Sequence, residues 1–154
     1  MSTTVAELSK PLPSAKQAKE MLAQAEAEKA SEALRQKQKA EAEKKALVDK
    51  LSKPSGISEQ EALKRATEII QRAIKNGLSE VEVFRFPNAL CTDHGRAINN
   101  DMEPGWENTL TGLPKEMYGF WDRHLRLLGY KIRVQVVDFS GGVPGDIAFT
   151  LKWA

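Results

Sequence analysis

The segment Cys91-Thr92-Asp93-His94-Gly95-Arg96 brings a thiol, a carboxylate, an imidazole and a guanidinium together in one short stretch. Cys91 and His94, three apart, would form a thiolate–imidazole pair if the stretch were helical. Cys91-x-x-His94 joined by His124 or Asp138 would offer zinc ligands, but the second tight pair of a structural zinc site is missing. Asn99-Asn100-Asp101-x-Glu103 carries oxygen ligands without the spacing of an EF-hand loop. The plainer readings are a buried structural cysteine and an Asx-rich turn. Ser140-Gly141-Gly142 would present backbone N–H groups to an anion, yet no helix follows it and its flanks read as strands, so a turn is expected. No Walker A, dinucleotide-binding, zinc-finger or hydrolase-elbow pattern occurs. No cofactor and no metal are therefore expected.

These side chains need elements to position them. The composition breaks at Lys53-Pro54-Ser55-Gly56. Before the break there is no aromatic residue and no glycine; after it come all the Trp, Phe, Tyr, Cys and Gly residues. Residues 1–13, with Pro11 and Pro13, have little to bury and are expected to be disordered. Ser14-x-x-Gln17 is a capping box. It opens a run of strong helix formers through Leu51, which places a long charged helix over 14–52. Such a helix extends about 55 Å at 1.5 Å per residue. Ala23, Ala27, Ala30 and Leu34 keep a 4-3-4 spacing, but Lys37 and Glu41 interrupt it, so a sustained coiled coil does not follow. A linker over 53–57 then precedes a domain over 58–154.

In that domain Ser58-x-x-Glu61 caps a helix with Ala62, Leu63, Ala66, Ile69, Ile70, Ala73 and Ile74 on one face. Asn76-Gly77 ends it. Glu80 to Phe86 reads as a strand. The segment 87–113 exceeds the ~12–15 residues beyond which loops are usually functional or disordered. Its Leu90, Ile98, Trp106 and Leu110 suggest a flap over the outer sheet face, covering Phe84, Phe86 and Phe139. Pro114 starts a helix that runs to Leu128, with Met117, Trp121, His124 and Leu128 central on its apolar face. His124 is thus expected to be a buried histidine, or to line a pocket beneath the flap. Tyr130, Ile132, Val134 and Val136 form one inward row, and Ile147, Phe149, Leu151 and Trp153 another.

The order helix, strand, loop, helix, strand, strand predicts an α+β fold: two helices on one face of a three-stranded mixed sheet. A right-handed crossover would set the first two strands parallel, giving the order 1-2-3. Glu80 would then lie beside Lys131 and Glu82 beside Arg133. Asp93, His94 and Arg96 would meet Asp138 and Ser140 at the strand carboxyl edge, where open α/β sheets bind ligands. These five are the candidate binding residues; no catalytic residue is assigned.

Residues 1–55 hold 11 Lys/Arg against 8 Asp/Glu, and 56–154 hold 12 against 13. A near-neutral domain argues against a dedicated phosphate-backbone binder. A single cysteine excludes an intrachain disulfide and suggests a reducing compartment. No apolar run reaches membrane-spanning length, and no signal peptide is evident. The sequence points to a cytoplasmic binding or adaptor module. Protein partners or weak self-association would engage 14–52, and the loop 87–113 would serve recognition. The alternatives are a small enzyme or ligand-binding domain using the polar cluster, and a weak nucleic-acid binder using Lys37, Lys39, Lys44 and Lys45.

Overall fold

Ser14 and Gln17 cap the first helix reciprocally. The Gln17 N–H donates to Ser14 Oγ at 3.1 Å, and the Ser14 N–H donates to Gln17 Oε1 at 2.9 Å. Two orphan donors are satisfied at once, and helix α1 runs without interruption over Ala15–Leu51. The computed structural model describes residues 12–154. Most of the segment expected to be disordered, residues 1–11, lies outside the described residues, as does the side chain of Ser140. The chain divides into two compact units, Met1–Glu43 and Lys44–Ala154. In the first unit every described residue is exposed.

The second unit begins ahead of the linker expected at 53–57, because the last turns of α1 carry core residues. Leu51 is buried and Val48 packs beside it. Next comes α2, Glu59–Lys75, with Ser58 Oγ accepting from the Glu61 N–H at 3.1 Å. A Schellman motif closes it: the Leu78 N–H reaches the Ala73 carbonyl and the Gly77 N–H that of Ile74. Gly77, at φ 76°, adopts the left-handed conformation that this cap favours.

The main sheet contains β1 (Glu80–Pro87), β2 (Lys131–Val136) and β5 (Asp146–Lys152). Its order is β1-β5-β2 and every pairing is antiparallel. This corrects the mixed 1-2-3 sheet. Residues Ile147 to Leu151 are buried without a break, so β5 belongs between two neighbours, where both edges are covered. β1 and β2 each run antiparallel to it. They therefore still point the same way, and their carboxyl ends share one end of the sheet. Lys131 and Glu80 both oppose Lys152, one on each side. Arg133 reaches over the central strand to Glu80, 2.6 Å away. The expected neighbour pairs thus become one ion pair across a strand.

The inward rows pair as the alternation predicts: Ile132 with Leu151, Val134 with Phe149, Val136 with Ile147. β1 departs from simple alternation. A bulge between Glu82 and Phe84 inserts Val83, and an inserted residue flips everything beyond it to the other face. Phe84 and Phe86 therefore oppose Phe149 and Ile147 on the helix side, where Phe86 meets Phe149 edge-on at 5.2 Å. The outer face keeps Glu82, Arg85 and Gln135, and Phe139, also expected beneath the flap, is exposed.

The loop goes where the aromatics went. Its Leu90, Cys91, Ala97, Ile98, Trp106 and Leu110 join Phe86, Val134, Ile147 and Phe149 in one buried cluster. Single turns of 3-10 helix at Asn88–Leu90 and Trp106–Thr109 and a short α3 (Arg96–Asn99) organise it. A bridge between Cys91 and Leu110 ties its ends. The segment is thus part of the core layer, contrary to the expected cover on the outer face.

The fourth helix, α4, runs over Gly112–Phe120 and continues as a π turn at Trp121–Leu125 and a 3-10 turn at Arg126–Leu128. Between β2 and β5, β3 (Phe139–Ser140) and β4 (Val143–Pro144) form a small hairpin. Gly141 and Gly142 turn it, both at positive φ, as a two-residue hairpin turn of this kind requires.

Candidate functional site

The structure gives each of the expected site residues a separate place. Asp93 accepts hydrogen bonds from the Gly95 and Ala97 N–H groups, both at 2.9 Å, and so holds the start of α3. Burial raises its pKa, but the backbone donors of Ala97 and Gly95 outweigh that and hold the carboxyl below its ordinary value. Arg96 pairs with Glu103 at 3.0 Å, not with Asp93 or Asp138. His94 is exposed and sits at φ 57°. Asp138 is exposed, and its carbonyl accepts from the Gly145 N–H at 2.7 Å. The backbone of Ser140 belongs to β3. Two of these segments do approach each other. Asn88 Nδ2 donates to the carbonyls of His94 and Pro144, each at 3.0 Å. The shared end of the sheet is thus joined by a buried asparagine that residue spacing does not single out.

Cys91 is buried, and desolvation pushes its thiol up to about 11, against a hydrogen bond with Thr109. A thiolate at neutral pH does not form in that setting. Among the described residues no group of three or more His, Cys, Asp and Glu side chains is placed to hold a metal ion.

The best-formed concavity lies elsewhere, between the amino-terminal half of α2 and α4, over the sheet. Its volume is about 430 Å³. Ala62, Ala66 and Ile69 form one wall; Leu113, Met117, Phe120 and Trp121 form the other. Val83, Phe84, Ile132, Phe149 and Leu151 make the floor. The reason for this shape lies in the residue types. The apolar face of α2 carries alanine at 62 and 66, so toward its amino end the helix has little side chain with which to fill the space against α4.

Polar groups gather at the mouth. Glu59, in the first turn of α2, accepts from Arg123 at 2.9 Å through one oxygen, and its other oxygen lies 3.1 Å from His124 Nε2. Hydrogen bonds with His124 and then Arg123 hold the Glu59 carboxyl below the usual carboxylate range. Glu116 accepts from the Ser55 N–H at 3.2 Å. Arg65 lines the same groove and pairs with Glu61.

His124 reaches this mouth because of the π turn. One extra residue per turn rotates the rest of the helix by about one residue's angle. Leu125 is driven into the core, 5% exposed, while Leu127 and Leu128 face outward at 87% and 72%. The expected core row of Met117, Trp121, His124 and Leu128 is thereby broken. His124 is partly buried against Phe120, with ring centroids 5.1 Å apart, and faces Glu59. Glu59 and Arg123 were absent from the expected site. Glu59 reads as an ordinary first-turn acid, and a π turn leaves no clear mark in a sequence.

The chain matches no family model, and no curated protein and no solved structure shows significant similarity to it. No helix among the described residues is long and apolar enough to cross a membrane.

Proposed function

We propose that residues 44–154 form a binding domain whose ligand is a small molecule with an apolar body, seated in the groove between α2 and α4. The observation that carries this is the groove itself: about 430 Å³, walled by carbon and rimmed by a few charged groups. Ligand pockets commonly hold ~300–1,000 Å³ with that division of apolar wall and sparse polar fixing points. A π turn in the wall supports the reading, since such insertions recur at functional sites. So does the rim carboxylate with a shifted pKa. The loop 87–113 serves the domain by completing its core, which moves recognition from the loop to the groove. The exposed, charged α1 remains the proposed surface for partners or weak self-association.

The test is a titration of the full chain with decanol, followed by tryptophan fluorescence, because Trp121 lines the groove. Saturable binding is expected. Ala66→Trp fills the groove from its α2 wall and should abolish binding while the circular dichroism spectrum and cooperative melting persist. Unchanged binding in a folded Ala66→Trp variant would reject the groove as the site.

A further inference from the structure

We infer that the groove takes an amphipath with an anionic head, a carboxylate at the end of an apolar chain, and that Arg123 and His124 receive that head in place of Glu59. This deepens the groove reading and rests on it. The mouth already holds one carboxylate in the required geometry. The two Glu59 oxygens are divided between consecutive side chains, Arg123 at 2.9 Å and His124 at 3.1 Å. Both donors come from the π turn, which aims them across the groove mouth at α2. Arg123 lines the groove itself, so a head group at the end of a chain in the groove arrives beside its guanidinium.

Glu59 can yield its place. Its side chain is 59% exposed, and an ion pair in that setting contributes little because water competes for both partners. Released, the Glu59 carboxylate returns to water at small cost. A ligand carboxylate takes over the same two donors, while its chain leaves water for the apolar wall. Glu59 spends side-chain freedom to hold that pair, whereas a ligand head is already held at the mouth by its buried chain, so the exchange runs in the ligand's favour. A cationic head would find Glu116 at the rim, but would face Arg65, Arg123 and His124 there as well. It could pair with Glu59 only by displacing both of the residues that hold that carboxylate. A neutral head would leave the Glu59 clasp closed across the mouth.

The experiment compares three ligands of one chain length on the full protein at pH 7.5: decanoate, decanol and decyltrimethylammonium. Dissociation constants are measured by isothermal titration calorimetry at low and high salt. Decanoate is expected to bind severalfold tighter than decanol, with a preference that shrinks in high salt. Arg123→Gln should lower decanoate affinity to the level of decanol and so remove the preference. Glu59→Gln, which removes the competing charge but keeps the side-chain volume, should tighten decanoate several-fold and widen its preference over decanol. Both positions are exposed, and thermal melts confirm that the variants fold. If decanol binds as tightly as decanoate, or the ammonium binds best, the head-group inference fails and the groove reading stands. If Arg123→Gln lowers all three affinities equally, the inference also fails. If none of the three ligands binds, both readings fail.

Discussion

Asp93 shows how a residue of catalytic type can be wholly occupied by structure. Its carboxylate satisfies the first N–H groups of α3, a turn too short to hold its own shape. The direction of its shift sets the pH dependence. The folded pKa lies below the unfolded value of about 3.9, so near that pH the unfolded chain binds more protons. Stability from Asp93 is therefore fully present above the unfolded pKa and is lost as pH falls through the folded one. Asp93→Asn is expected to lower stability at pH 7 by about 1 kcal/mol and to converge with the parent in strong acid. Urea unfolding at pH 7 and pH 2.5 measures both. Asn88 admits a matching test at the same scale. Its amide joins two carbonyls from segments far apart in sequence, and Asn88→Ala leaves both without that donor. A loss of about 1–3 kcal/mol is expected, read from the same unfolding curves. An Asn88→Ala protein as stable as the parent would show that water replaces the amide freely.

Two single-residue insertions decide where the elements point. The bulge at Val83 sends Phe84 and Phe86 to the helix side, and the π turn sends Leu125 inward and His124 to the rim. Both capping boxes, helices α1 and α2 and the inward rows of β2 and β5 were legible, because each rests on spacing over a few residues, whereas the short α3 lay in a segment read as a loop. The bulge and the π turn were not. Each satisfies a tertiary demand, packing on Phe149 in one case and filling the core under α4 in the other. The strand order was illegible for a related reason: the pairing of β1 with β5 joins segments distant in the chain, and local pattern is silent on it. The polar cluster at the sheet end was half legible. The direction of β1 and β2 was right, but the side chains there pair within their own segments. The phase of the π turn gives a direct test. Leu125→Ala should cost about 2–5 kcal/mol as a buried truncation. Leu128→Ala should stay within about 0.5 kcal/mol. A regular α-helix through Leu128 would give Leu128 the larger loss, and equilibrium unfolding of the two variants separates the cases.

At the scale of the whole chain, composition and packing place the boundary differently. The last residue of the Ala/Glu/Lys run is near Lys53, yet the core extends back into the helix. Leu51 is 8% exposed and shares a cluster with Phe86, Trp106 and Phe149. Gly112, at φ 59°, lies so close to the Leu51 carbonyl that a Cβ there would collide with it. The end of α1 and the start of α4 are therefore fitted backbone to backbone. Upstream of Lys44 no described residue is buried. Two truncations test the boundary. A chain beginning at residue 44 is expected to unfold cooperatively with the stability of the full protein. A chain beginning at residue 53 loses Val48 and Leu51 and uncovers the apolar surface beneath them. The expected cost is about 2–5 kcal/mol, comparable with burying one or two leucine-sized side chains. That is a large share of the ~5–15 kcal/mol by which domains of this kind are stable. Urea denaturation of the full chain and both truncations measures it. Equal midpoints for the two truncations would mean that α1 ends outside the core and that the compositional break at Lys53 is also the physical one.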